Sequence, residues 1–299
     1  MGYHPSLRAQ SLITGRSLML GLVVPDLHNP FYAEVAAGVE EAASGSGFSV
    51  IICNTDMRIE KEDRFLQLLE QHGVDGIIFI TDARPRQPEL QRLAQRGCPV
   101  IVVDEAVEGR FHVVSVDNEG GGRLAAAHLV GLGHRQLAVL AGPPNLPTTR
   151  ARLRGFSDTL GASGIDLGLA NIRYADDRIE GGRVAALGLL DKHPPPTAVF
   201  ATNDLMALGA LEAASRLRLS VPKDLSLVGF DDIPYVSLVN PPLTTVAQPA
   251  RNLGGTAAGL LLEVMEQGLG RVRRVELPVE LRIRESTGPC QRRTELTRT

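Results

Sequence analysis

Two pairs of adjacent carboxylates, Asp176-Asp177 and Asp231-Asp232, stand where acid and base work could be done. Asp231 ends the apolar, strand-like run Leu225-Ser-Leu-Val-Gly-Phe230, which is followed by a second such run, Pro241-Pro-Leu-Thr-Thr-Val246. Open α/β sheets bind ligands outside the carboxyl ends of their strands, so Asp231 is the first candidate for a ligand contact. Arg152 and Arg154 follow the loop Pro143-Pro-Asn-Leu-Pro147, on a helical turn expected to open into a cleft. A planar fork of five donors suits hydroxyl, carboxylate or phosphate groups. Arg152 is expected to serve a ligand and Arg154 a surface ion pair.

Other chemistries lack their parts. Nothing beside the aspartate pairs supplies a nucleophile or a cofactor cradle, no G-x-S-x-G elbow is present, and no cofactor is expected. Gly120-Gly-Gly122 opens a helix over 123–130, but neither GxxxxGK[ST] nor a strand-linked GxGxxG accompanies it, so close helix packing is the expectation. His128 and His134 lie six apart and miss the i, i+4 spacing of a helical metal pair, while His28 and His72 have no carboxylate or cysteine in metal-ligand register. No metal site is expected. Cys53, Cys98 and Cys290 are widely spaced and form neither a zinc ribbon nor a disulfide framework.

These residues need a scaffold, and the rest of the chain describes one. Short runs rich in Val and Ile alternate with helical patterns, the signature of βα units around parallel sheets. Strands are expected over 18–24, 49–53, 76–80, 100–103, 113–116, 137–141, 198–201 and 225–230. Helices are expected over 31–44, 61–72, 88–96, 149–160, 180–190, 204–216 and 250–266. The rhythm occurs twice, which predicts two doubly wound α/β lobes with a cleft between them. A chain of 299 residues exceeds one ordinary core, and 43% hydrophobic with 22% charged residues is a globular balance. A net charge of −3 gives no general attraction to nucleic acid or anionic membrane, so DNA contact must be local. No apolar run reaches the length of a membrane span, and the N-terminus lacks the features of a signal peptide, which points to the cytoplasm.

Short pieces in order along nearly the whole chain carry a resemblance. They are Gly15-Arg-Ser17, Leu20-Gly-Leu-Val-Val-Pro25, Asn29-Pro-Phe-Tyr32, Asp117-Asn118 and Ala127-His-Leu-Val-Gly-Leu-Gly-His-Arg135. They continue with Arg152-Leu-Arg-Gly-Phe156, Ala201-Thr-Asn-Asp-Leu-Met-Ala-Leu-Gly209, Val228-Gly-Phe-Asp-Asp232 and Pro242-Leu-Thr-Thr-Val246. Together they resemble the effector-binding core of the lactose and galactose repressor (LacI/GalR) family of transcriptional regulators.

The resemblance implies a type I periplasmic-binding-protein-like fold with three crossover strands, a homodimer, no enzymatic activity and a small effector. The N-terminal lobe is expected over 18–136 plus 250–276, and the C-terminal lobe over 137–249 plus 277–290. Residues 1–17 are expected as a hinge and 291–299 as a flexible tail. Positions matching the family's effector contacts are Phe31, Tyr32, Asp117, Thr148, Arg152, Asn203 and Asp231. Asp177 falls where several members place a stacking aromatic, and Leu146 where purine-sensing members carry arginine. Those departures point away from purines and toward a sugar or another hydroxyl- or amine-bearing effector. Arg8, Gln10, Leu12 and Arg16 match the DNA-proximal hinge, with Gln10 where arginine is frequent. The family's helix-turn-helix domain does not precede it, so operator DNA is expected as a partner only of a form carrying that domain. The competing expectation is a periplasmic sugar-binding protein of a transporter, a secreted monomer with the same fold.

Overall fold

The computed structural model describes residues 16–80, 87–104, 111–268 and 270–291. Strands and helices alternate from the start: β1 (Met19–Val24), α1 (Pro30–Gly45), β2 (Ser49–Asn54), α2 (Ile59–Gln71), β3 (Gly76–Ile80), α3 (Gln87–Gln95), β4 (Val100–Val103) and β5 (His112–Val116). The series resumes with α4 (Asn118–Gly131), β6 (Leu137–Ala141), α5 (Pro147–Ala162), β7 (Ile172–Tyr174), α6 (Ile179–Leu190), β8 (Ala198–Ala201), α7 (Asp204–Arg216), β9 (Ser226–Asp231) and β10 (Thr244–Ala247). It closes with α8 (Ala250–Gln267), β11 (Arg274–Leu277) and β12 (Glu280–Arg282).

The strands form two six-stranded sheets, ordered β11-β5-β4-β3-β1-β2 and β12-β10-β9-β8-β6-β7. Pairing in the first is parallel throughout, and in the second only β12 runs antiparallel, against β10. Strands β3, β4, β6, β8 and β9 are buried at every residue, as parallel strands covered by helices on both faces must be. This explains why they read as unbroken apolar runs rather than alternating ones.

Each sheet belongs to its own compact unit. One comprises the described residues through Val116 with Pro249–Pro278, the other Asp117–Gln248 with the described residues from Val279. The core of the first gathers Val23, Leu66, Ile77, Phe79, Leu90 and Val102. That of the second is built on Phe156 and Phe200, stacked with centroids 4.8 Å apart, together with Phe230 and Val246. Burial of each such aromatic side chain stabilises the unit by roughly 1.5–3 kcal/mol.

The lobe boundary expected near residue 136 moves to Val116. Residues 117–136 belong to the second unit because α4 packs face to face on α5. The two helices approach so closely that a Cβ on Gly122 would stand 2.1 Å from the Arg152 carbonyl oxygen, and one on Gly155 would stand 1.9 Å from that of Glu119. Only glycine permits this approach, so close helix packing is the role of Gly122, while Gly121 lies against Phe230 and Gly120 against the capping Asp117 side chain. Residues after Ala250 return to both units, α8 and β11 to the first and β12 to the second. Of the hinge positions, Arg8, Gln10 and Leu12 lie outside the described residues, as does all of the expected tail beyond Gln291; Arg16 is described and exposed.

Candidate functional site

In the second unit the carboxyl ends of β6, β8 and β9 each lead into a helix start or turn rich in polar residues. Strand β9 delivers Asp231, and β8 delivers Thr202 and Asn203 directly before α7. Helix α5 delivers Arg152 on its second turn, with Thr148 half-buried at its start.

Arg152 is the hub. Only 7% exposed, it donates from Nε to Asn118 Oδ1 at 2.8 Å and from a terminal nitrogen to the Thr202 carbonyl at 2.6 Å. The same nitrogen lies 3.5 Å from Asp231 Oδ1, and the guanidinium carbon sits 3.8 Å from the centroid of the Phe230 ring. A buried cation is tolerated only when paired and hydrogen-bonded, and this one is held by a carboxylate, an amide oxygen, a carbonyl and an aromatic face. The glycines of the α4–α5 contact therefore have a local consequence, since they bring Asn118 within reach of Arg152.

Asp231 is equally enclosed. Its Oδ1 accepts from Gln248 Nε2 at 2.7 Å. Its backbone has φ +119° and that of Asp232 has φ +59°, a region that favours glycine, so the turn after β9 is strained. Asp232 plays a different part, because Arg284 at 2.6 Å and Arg282 at 3.4 Å engage its carboxylate. The two neighbouring acids thus face different partners.

A second cluster joins β8 to the start of α6. Asn203 caps α7 by accepting from the Met206 N–H at 2.8 Å, and its amide nitrogen donates to the Asp177 carbonyl at 3.0 Å and to Asp177 Oδ1 at 3.1 Å. Asp177 itself adopts φ +62°. Asp117 caps α4 by accepting from the Gly120 N–H at 2.6 Å and lies 3.7 Å from the Arg123 guanidinium. Of the expected contacts, Asp117, Thr148, Arg152, Asp177, Asn203 and Asp231 belong to the second unit. Phe31 and Tyr32 belong to the first, at the start of α1, where Asn29 caps the helix and the two rings meet edge-on at 5.2 Å.

Gln248 does not stand out in the sequence. It is 7% exposed, and its Oε1 is buried with no hydrogen-bond partner among the described residues. The signal for it is the same one that marks Asp231, a polar residue directly after an apolar strand. Asp204, equally inconspicuous, is fully buried: desolvation pushes its carboxyl well above the usual carboxylate range, and the adjacent Asp231 charge adds to the effect. Arg154 lies at the surface, 3.4 Å from Glu119, as expected.

One expectation about histidine needs correction. His28 does have carboxylates beside it: its Nδ1 lies 2.7 Å from Asp26 Oδ1, and ligand-capable atoms of Asp26, His28 and Asp56 all fall within 4.8 Å of one another. The turns after β1 and β2 bring these residues together, which linear spacing does not reveal. Arg58 and Lys61, each 3.6 Å from Asp56, already supply positive charge there.

A family model described as a periplasmic binding protein-like domain matches residues 126–287. The ribose operon repressor of Halalkalibacterium halodurans is 37% identical over 288 residues, covering 96% of this chain and 85% of that protein. The transcriptional repressor CytR of Escherichia coli is 35% identical over 290 residues, covering 96% and 84%. Among solved structures, the transcriptional regulator CelR in complex with cellobiose superposes with a TM-score of 0.84 at 31% identity, covering 93% of this chain and 89% of that one. A LacI family regulator from Enterococcus faecium with bound ribose gives 0.82 at 33% identity, covering 91% and 100%. These relatives regulate transcription rather than deliver solutes to a transporter. With its two predominantly parallel α/β sheets and its strand-end polar cluster, the chain belongs to the LacI family of transcriptional regulators and forms their ligand-sensing, periplasmic-binding-protein-like core.

Proposed function

We propose that this core binds a sugar or closely related polyhydroxylated effector through residues at the carboxyl ends of its strands. The buried Arg152–Asp231 pair, 3.5 Å apart at the end of β9, carries this reading. It offers donors and acceptors within one small region, which hydroxyl groups, each both donor and acceptor, can satisfy together. In this reading Asn203, Asp177, Asp117 and Thr148 of the same unit add further polar contacts to the effector. Ribose bound to relatives of about one-third identity supports the chemical class.

Effector binding shifts a two-state equilibrium of a homodimer and so alters affinity for operator DNA in the form that carries a DNA-reading domain, with a coupling of about 1–3 kcal/mol. The protein acts in the cytoplasm, where that DNA is, and turns nothing over. Calorimetric titration with D-ribose tests the site. Asp231→Asn and Asp177→Ala should each weaken binding by about tenfold or more while the protein stays folded, since each removes a charged hydrogen-bonding group. Wild-type affinity in both variants would remove the site assignment.

A further inference from the structure

The turn that presents Asp231 is held in an unusual conformation. Two successive non-glycine residues, Asp231 and Asp232, have positive φ, and such backbone persists only where its surroundings over-determine it. Arg284 and Arg282 engage Asp232. The following residue is gripped by Asp204, whose side chain has no solvent exposure. Asp204 Oδ2 accepts the Ile233 N–H at 2.9 Å, and Oδ1 lies 2.6 Å from Thr245 Oγ1 on β10.

An acid in the first turn of a helix ordinarily serves the helix's own free amides. Asp204 opens α7, yet its oxygens address the turn after β9 and the neighbouring strand instead, while Asn203 caps the helix. The space is made for it: a Cβ on Gly229 would stand 2.1 Å from Asp204 Oδ1.

We propose that Asp204 is a positioning residue of the effector site, which fixes the Asp231–Ile233 turn and thereby sets where the Asp231 carboxylate stands relative to Arg152 and Gln248. The consequence for affinity rests on the reading of Asp231 as an effector contact. Buried beside Asp231 and Asp232, Asp204 holds this turn through both carboxyl oxygens: Oδ2 accepts from the Ile233 N–H, and Oδ1 accepts from the Thr245 hydroxyl. An amide keeps both contacts, with its oxygen accepting from Ile233 and its NH2 donating to the Thr245 hydroxyl oxygen once that hydroxyl turns.

The test compares wild type, Asp204→Asn, Asp204→Leu and Thr245→Val by D-ribose calorimetry and by amide NMR shifts of residues 231–233. Asp204→Asn should bind within about threefold of wild type with these amides nearly unmoved, whereas Asp204→Leu, which loses two hydrogen bonds, should bind about tenfold more weakly with all three displaced. Thr245→Val loses one bond and should fall between them, which keeps the test open if the leucine variant does not fold. Leucine or valine variants with wild-type affinity and unmoved amides overturn the proposal, as does an asparagine variant as impaired as the leucine one. If wild type binds no ribose, the sugar reading fails separately, and unmoved amides in the leucine or valine variant still overturn the positioning role.

Discussion

Replacing Arg152 by methionine keeps an apolar stem of similar length and removes the guanidinium, and the structure allows the cost to be worked out. The side chains of Arg152 and Asp231 are 9% and 4% exposed, so solvent screens their attraction little. At 3.5 Å and an effective dielectric constant of about 20, the attraction is about 5 kcal/mol before desolvation is counted. Bringing both charges out of water offsets much of that. Removing only the cation leaves the Asp231 carboxylate buried without this guanidinium to balance its charge, although Gln248 still donates to it, and such one-sided losses cost about 3–5 kcal/mol. The reasoning is tested by a double-mutant cycle with Asp231→Asn, using urea unfolding followed by circular dichroism. With the carboxylate already neutral, Arg152→Met should cost roughly 1–3 kcal/mol less than it does in the wild-type background. Costs that add to within about 0.5 kcal/mol would refute the claim that the pair is energetically coupled.

Gly155→Ala drives a methyl group into the Glu119 carbonyl and should destabilise the protein by about 1–3 kcal/mol, read as a melting point several degrees lower; an unchanged melting point would show that the helices separate freely. Asn203→Ala removes the cap of α7 and the bonds to Asp177, and should cost about 1 kcal/mol or more in a urea titration, whereas no loss would mean that the Asp177 turn holds itself. His134 is enclosed by Thr197, Ser226 and the Gly288 carbonyl, and burial lowers its pKa. The unfolded chain therefore takes up the proton first on acidification, so this contribution to stability is complete above the ordinary histidine pKa and declines as pH falls through it. Urea midpoints measured from about pH 8 to about pH 5 should fall on the acid side, and His134→Gln should flatten that decline. A variant with the full wild-type pH dependence would contradict the assignment.

Although the cap Asp117 starts its helix five residues before the expected 123, most of the scaffold is legible in the sequence because parallel strands buried on both faces leave unbroken apolar runs. Strand β7 is not: at three residues, Ile172-Arg-Tyr174, half-buried or exposed at the edge of its sheet, it leaves almost no pattern. The boundary near residue 116 is hidden for a related reason. Helix α4 follows β5 without a break, and only its glycine face against α5 shows which unit it joins. Asp231 and Arg152 are legible from strand-end logic and donor chemistry, but their pairing spans 79 positions and no spacing rule reports it. Asp204 escapes notice because a buried polar residue inside a helix announces itself only when its partners are known. The Asp26, His28 and Asp56 group escapes for the same reason, being assembled from two separate strand ends.

The central claim, a core built to sense a hydroxylated effector, is tested most directly by thermal shift of the wild-type protein against pentoses, hexoses, disaccharides, sugar phosphates, polyols, nucleosides and nucleobases. A ligand at about 100 times its dissociation constant stabilises the folded state by roughly 2.7 kcal/mol, so members of one sugar class should raise the melting point clearly and the others should not. A response confined to nucleobases, or none from any hydroxylated compound, would contradict the claim.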